Sequence, residues 1–437
     1  MDYKPTVSSI RVNKVSSIST RLSILALIQM GLALIVIAWM NNGIFTYAMP
    51  YVPNFIRWGL FVAWFGLALT SNKKFAQTFV VQCWPILLFY FYILFISSFT
   101  KDLNVGVYIK STSYLILVYS IFLYYFNGNY RKYQKVLITF LFFDCVFIAI
   151  NTYMQLKINP LLARYLSTGT DTMERMLGTT VFYGVGNYGY FYALVSIILL
   201  LGFLFLNYRK RRLFVFLLIY AFTALLIQAS FTIAILFTVI FLSLLVILRY
   251  TSKYTFVAVA LLGVMTLLIF QGMFASMFSQ LADIKGISNE VSIRLSELAH
   301  FFSGNNIFGT DLYARKNLYS QSMDAFANNI LMGTSVTDSI VYSAGGHSAW
   351  LDLLAQFGLF SIPFFVFLFK AYQYSKKRVP KNFRPFVNVY WLYFVSLGFI
   401  NTLLFANIYT IWFLFLPMVI SSFLEISEKS TGGVQEM

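Results

Sequence analysis

Three side chains in this sequence are suited to proton exchange and to holding a phosphate: His347, Arg294 and Arg175. His347 lies in Gly345-Gly346-His347-Ser348-Ala349-Trp350-Leu351-Asp352, where a polar segment gives way to an apolar run. The chain has only 2 histidines and 11% charged residues, so an imidazole beside a small-residue turn at a water–lipid boundary stands out as a proton-exchanging group. Arg175 begins Arg175-Met176-Leu177-Gly178-Thr179-Thr180, and Asn187 closes the same segment. A guanidinium fork followed by glycines, threonines and an asparagine can hold a phosphate, though the same residues also suit helix capping. Arg294 has Glu290 and Glu297 at i−4 and i+3, so a surface ion pair is the alternative to an anion site. Two arginines and one histidine are what transfer from a lipid pyrophosphate requires.

The elements that must position these groups are membrane helices. Hydrophobic residues make up 59% of the 437, aromatic residues 19%, and the mean hydropathy is +0.74, more apolar surface than a soluble domain can bury. Apolar runs long enough to span fall near 22–40, 54–71, 77–98, 107–126, 135–156, 183–206, 212–228, 230–249, 254–274, 349–372, 386–404 and 407–424. The expected fold is therefore an all-α polytopic membrane protein of about 12 helices, forming one integral-membrane domain over 1–437. The run 212–249 is divided at Gln228-Ala229-Ser230, because it is too long for one crossing. Residues 22–40 exceed a signal-peptide core and lack a small-x-small cleavage site, so they are read as a retained first helix.

The net charge of +17 is dispersed in short clusters between apolar runs, which argues for topology rather than nucleic acid. Lys73-Lys74, Arg131-Lys132, Arg209-Lys210-Arg211-Arg212, Arg249 and Lys376-Lys377-Arg378 all fall in loops of one side, and most acids fall on the other. That bias predicts both termini in the cytoplasm. Two outer segments are then large enough to build a site: a smaller loop over 157–182, and a large one over 275–348 between helices 9 and 10. Within the latter, Val291, Leu295, Leu298 and Phe302 predict an amphipathic helix on the membrane or capping the bundle. Cys83 and Cys145 lie in apolar runs, so neither a disulfide framework nor a metal site is expected, and no cofactor motif is found.

Gly346-His347-Ser348-Ala349-Trp350-Leu351-Asp352-Leu353-Leu354-Ala355-Gln356-Phe357-Gly358-Leu359 resembles the signature of the bacterial O-antigen polymerase and ligase family, a His followed by a small residue and an apolar run ending in Gly-Leu. Arg175, Gly178 and Asn187 resemble the family's earlier Arg-Gly-Asn segment. Ser292-Ile293-Arg294-Leu295, ahead of Asn306 and Gly309, resembles the start of its large external loop. The resemblance implies a metal-independent glycosyltransferase of the bacterial inner membrane that polymerises undecaprenyl-pyrophosphate-linked oligosaccharides of O-antigen or capsule. Its partners would be that lipid-linked substrate, membrane lipids, a flippase and a chain-length regulator, with no nucleic acid. Carried over residue by residue, Arg175 and Arg294 would hold the pyrophosphate and His347 would serve the acceptor hydroxyl as general base or orient it; by residue type, Thr179 and Asn187 can add hydrogen bonds near the anionic group.

The sequence departs from the family at Ala229-Ser230-Phe231, where many relatives carry Ser-Arg. Arg164 or Arg315 is the expected substitute for the missing cation, unless two arginines suffice. Asp352 lies five residues beyond His347, about 140° around a helix, where it either contacts substrate or satisfies a buried network. A ligase that moves the glycan to a lipid A core, and a lipid-linked-oligosaccharide flippase, are the competing activities. The flippase calls for several charged groups at depth, whereas Asp144 is nearly the only acid there.

Overall fold

The computed structural model describes residues 24–41, 43, 52–100, 103–127, 131–160, 162–163, 166, 184–207, 211–250, 265, 269–284, 289–303, 311–336, 344–379 and 381–422. Within them the chain is helical and contains no strand. The helices are α1 (Ile24–Asn41), α2 (Asn54–Ser71), α3 (Lys73–Ser97), α4 (Leu103–Asn127), α5 (Arg131–Ile158), α6 (Tyr188–Asn207), α7 (Arg212–Gln228) and α8 (Thr232–Tyr250). After them come α9 (Gln271–Ala282), α10 (Asn289–Phe302), α11 (Asp311–Asn328), α12 (Ala349–Phe357), α13 (Ile362–Lys377), α14 (Arg384–Ile400) and α15 (Ala406–Thr410), the last continuing through a π turn over Ile411–Phe415. Seven helical stretches are long and apolar enough to cross a membrane, and the apolar helices Arg212–Gln228, Ile233–Arg249 and Ala406–Ser422 are shorter.

Most expected spans coincide with helices, and the differences have local causes. The sixth starts at Tyr188 rather than 183: Gly184 has a left-handed φ of 76°, and the Asn187 side chain accepts the Tyr190 N–H at 3.2 Å as an N-cap. The expected break at 228–230 is present, with Ser230 at φ 56° and its N–H bonded to the Ile227 carbonyl at 2.9 Å. The expected span 349–372 is two helices. Gly358, at φ 56°, ends α12, and the Leu359 N–H leaves the helix to bond the Ile330 carbonyl at 2.8 Å. Gly333 and Gly358 both need their missing Cβ, because a methyl at either would lie 2.2–2.4 Å from the backbone passing opposite. The expected ninth span lies largely outside the described residues. Its end does not turn into loop at 275, because Phe274, Phe278 and Leu281 continue the apolar helical face to Ala282.

The large segment 275–348 is mainly helix rather than loop. The amphipathic helix expected there is α10, and its apolar face rests on α9: the Phe302 ring stacks on Phe278 at 5.6 Å and meets Phe274 at 5.7 Å. Ser292 ties the pair by donating its hydroxyl to the Ala282 carbonyl at the end of α9, at 2.8 Å.

In the bundle, α6 occupies the centre. Of its spanning window 83% is buried, against 39% for α3, and it packs on α7, α8, α14 and α15. One end of the bundle gathers basic groups: Arg249 bonds the Asn207 side chain, Arg212 lies over Phe205, and Arg378 lies 4.3 Å over Tyr374. The other end of α6, about 30 Å away at 1.5 Å per residue, meets the turn that carries His347. Cys83 and Cys145 are buried packing residues with free thiols.

Helix α3 contains Pro85, which has no N–H for the carbonyl four residues back, that of Val81. Lys370 of α13 supplies the missing donor: its Nζ bonds the Val81 carbonyl at 2.5 Å and sits 5.4 Å from the Trp84 ring centre. Val81, Trp84 and Phe369 are exposed around it, so the ammonium is held where hydrocarbon would otherwise surround it. The two residues are therefore expected to be coupled. Lys370→Met should lower the thermal transition of the detergent-solubilised protein, but have little effect in a Pro85→Ala background, where the backbone amide is restored. The double-mutant cycle should give a coupling of about 0.5–3 kcal/mol, and additive effects would contradict this account.

Candidate functional site

The turn Gly345–Ser348 is built against α11. The Gly345 N–H donates to the Ser322 hydroxyl oxygen at 2.9 Å, and a Cβ on Gly345 would come within 2.1 Å of the Leu318 carbonyl. Glycine is therefore required by close backbone approach. Gly346 is required by conformation instead, with φ at 81° and open space around it. Ser348 is the N-cap of α12, its hydroxyl oxygen accepting the Leu351 N–H at 3.3 Å while the hydroxyl donates to the Gly398 carbonyl at 3.2 Å.

Asp352 organises this turn. Its carboxylate accepts three donors: the Ser322 hydroxyl at 2.6 Å, the Gly346 N–H at 3.2 Å and the Ser348 N–H at 3.0 Å. Those two N–H groups flank His347, so one buried carboxylate fixes the backbone on either side of the imidazole. His347 is half-buried and close enough to Asp352 to interact with its charge. The angle of about 140° between the two does not apply, because His347 precedes the helix Ala349–Phe357 on which Asp352 lies. Within the described residues Asp352 acts as a buried network member and as the clamp of the histidine turn.

The turn is held from the far side by α14. The Ala349 N–H bonds the Asn401 carbonyl at 3.1 Å, and the Trp350 indole N–H bonds the Val395 carbonyl at 2.8 Å. Gly398 makes this packing possible, since a Cβ there would lie 2.0 Å from the Trp350 ring. Tyr319 of α11 reaches the same end of α14 by donating its hydroxyl to the Ile400 carbonyl at 3.3 Å.

Asn401 links this turn to the start of α6. Its side chain accepts the Tyr188 hydroxyl at 3.0 Å and donates to the Tyr192 hydroxyl at 2.8 Å, and the residue is 3% exposed. Tyr188 directly follows Asn187, so the end of the 175–187 segment and the His347 turn meet through one asparagine. The Ala229-Ser230-Phe231 turn, where members of the resembled family carry arginine, joins the same neighbourhood. Phe231 stacks on Phe191 at 4.4 Å and meets Tyr188 edge-on at 5.3 Å, so an aromatic side chain fills that place by packing.

The other expected site residues are placed as follows. Asn187 spends its side-chain oxygen on the N-cap of α6, and the neighbouring Gly186 N–H bonds the Thr152 hydroxyl oxygen at 2.7 Å. Arg294 and Arg315 lie on α10 and α11, with their side chains outside the described residues, as is that of Glu290. Arg164, Arg175 and Thr179 lie outside the described residues altogether. Ser322, Tyr188, Tyr192 and Asn401 are site residues that the sequence reading does not single out. Asn401 had a signal of its own, an amide between two apolar runs where backbone ends need donors and acceptors. No group of three metal-ligating side chains occurs among the described residues.

The clamp makes a quantitative expectation. Asp352→Ala leaves the Gly346 and Ser348 amides without their acceptor, at about 1–3 kcal/mol for each group left buried, whereas Ser322→Ala removes one neutral partner. Thermal unfolding in detergent should therefore rank Asp352→Ala well below Ser322→Ala, and Ser322→Ala slightly below the parent. Equal transitions for all three proteins would remove Asp352 from its role as organiser.

No protein-family model and no curated protein matches this chain. The family resemblance rests on the residues quoted above.

Proposed function

We propose that this protein is a membrane glycosyltransferase that polymerises undecaprenyl-pyrophosphate-linked oligosaccharide repeat units of a surface polysaccharide on the outer face of a bacterial cell membrane. The observation that carries the reading is the signature stretch Gly346–Leu359, with its histidine held at a helix mouth by Asp352 beside the start of α6. The separation of the basic end of the bundle from the His347 end supports the orientation, because lysine and arginine favour the cytoplasmic side. About twelve helices with both termini in the cytoplasm complete the proposed topology.

In the proposed reaction the acceptor hydroxyl attacks the anomeric carbon of the donor chain. The glycosidic C–O bond forms as the bond from that carbon to the pyrophosphate oxygen breaks, and the hydroxyl proton passes to the imidazole of His347. Undecaprenyl pyrophosphate leaves with the electron pair, and the charge developing on its oxygens is met by Arg175 and Arg294. Fixed guanidinium groups in a poorly hydrated site stabilise that charge strongly, since the effective dielectric there is below that of water. Asp352 and Asn401 are positioning residues that hold the turn and the adjoining helix ends.

The test is reconstitution of the purified protein in vesicles with lipid-pyrophosphate-linked repeat units as the only sugar substrate, followed by gel separation of the products. A ladder of lipid-linked chains is expected. His347→Ala and Arg294→Ala are expected to insert and unfold like the parent while losing the ladder, a fall of roughly 100-fold or more for loss of a general base or a transition-state cation. A normal ladder from either variant would remove that residue from the chemistry. Transfer that appears only when a lipid A core acceptor is supplied would reassign the activity to glycan ligation.

A further inference from the structure

Away from the histidine turn, α3 and α13 form a seam on the outside of the bundle. Tyr92 stacks on Phe360 just before α13, Phe89 meets Phe364, and Lys370 bonds the Val81 carbonyl, so the two helices run antiparallel in a fixed register. Continued along both helices, that register sets Lys74 opposite Lys377, at the end of the bundle where Arg378 lies. Lys74, Val81, Trp84 and Leu88 share one face of α3, and Val366, Lys370 and Lys377 share one face of α13. Val81, Trp84, Leu88 and Val366 are exposed, as are the two outer lysines, so the seam is open along its length.

A cation in this seam lacks a counter-charge. Lys370 lies seven residues before the end of α13, about 10 Å inward along the helix. Its ammonium donates to the Val81 carbonyl and faces the Trp84 ring, and no carboxylate among the described residues pairs with it. The acids among those residues stand elsewhere: Asp144 is inside the bundle, and the others belong to the segment 283–352. An ammonium has three N–H donors, so two remain, and acyl chains offer them nothing. A cation at such a depth is costly until an anion meets it.

That anion has to come from outside the chain. A second copy of the protein offers none on its surface, because Asp144 and Asp352, the acids within its described spans, are both buried. A lipid phosphate is the anion that an open, lipid-facing seam meets in a bilayer, and basic positions between helices are where anionic headgroups settle. Lys74 and Lys377 mark the headgroup level at the mouth of the seam. A phosphate drawn between that level and Lys370 is reached from both sides by the long lysine stems. Zwitterionic headgroups would bring an ammonium of their own against three lysines, so a net negative headgroup is selected.

We propose that the α3–α13 seam binds one anionic phospholipid in the leaflet at the basic end of the bundle. Its phosphate lies between Lys370, Lys74 and Lys377, and an acyl chain runs along Trp84 and Leu88. The Val81 carbonyl and the Trp84 ring already hold the ammonium in place, which lowers the ordering cost of binding.

Native mass spectrometry of the purified full-length protein, supplied in neutral detergent with equal amounts of phosphatidylglycerol and phosphatidylcholine of matched acyl chains, tests the seam. One phosphatidylglycerol is expected to remain bound in preference to phosphatidylcholine. Lys370→Gln is expected to weaken that binding about tenfold or more, the effect of losing a hydrogen bond between charged groups. Lys74→Gln combined with Lys377→Gln keeps the Val81 bond and is expected to weaken binding about fivefold for each lysine, so it serves if Lys370→Gln does not accumulate. Arg212→Gln removes a cation of the same end of the bundle outside the seam, and is expected to leave the binding unchanged. No preference of the parent for phosphatidylglycerol would overturn the proposal and leave the seam to a transmembrane helix bearing a carboxylate. Binding that persists unchanged in the lysine variants, or falls equally in Arg212→Gln, would also overturn it, because the lipid would then follow another site or the net charge.

Discussion

Backbone polar groups inside this bundle must find their partners within the protein, because hydrocarbon offers none. That constraint explains features with little else in common. Lys370 reaches across to α3 because Pro85 leaves the Val81 carbonyl without its amide. Asp352 takes up two amides of a turn that cannot hydrogen-bond to itself. Asn401 satisfies one backbone donor and two tyrosine hydroxyls at a point where α14 stops and α6 starts. The Lys370 and Asn401 contacts, and the Ser322 hydroxyl on Asp352, join elements distant in sequence, so satisfying these groups also specifies the tertiary arrangement.

The histidine turn is a product of this economy. A short loop with two glycines would be free to sample many conformations, yet here its position follows from α11 below, α12 ahead and α14 behind. The glycines remove side chains that would collide or strain, and Asp352 and Ser322 supply the acceptors. The backbone that carries the imidazole is thereby held in one position relative to the end of α6, the kind of support a positioned proton acceptor needs. The two arginines of the proposal come from other segments, so the donor and acceptor halves of the site would be assembled from different parts of the chain.

The aromatic content has a comparable double use. Phe231, Phe191, Tyr188 and Tyr192 form a packed group where relatives of the resembled family carry a cation. Two of these rings also carry the hydroxyls that engage Asn401, so the group fastens the α7–α8 turn to the histidine side of the bundle without a buried charge. Asp144 is the contrasting case, a buried acid with a cavity beside it and a glycine cut to its outline.

Composition and hydrophobic run length by themselves determined that this chain is an all-helical membrane protein, because about 20 apolar residues in sequence already specify a spanning helix. Run length also required a break within 212–249, which is too long for one crossing, and the structure places it at 228–230, where Ser230 has a left-handed φ. His347 stood out by rarity and by motif. Tertiary structure alone decided that Ser322 and Asp352 together hold that histidine's turn and that Asn401 joins it to α6. These contacts pair residues 30 to more than 200 positions apart, and neither periodicity nor local propensity records which distant partner a buried polar group will meet.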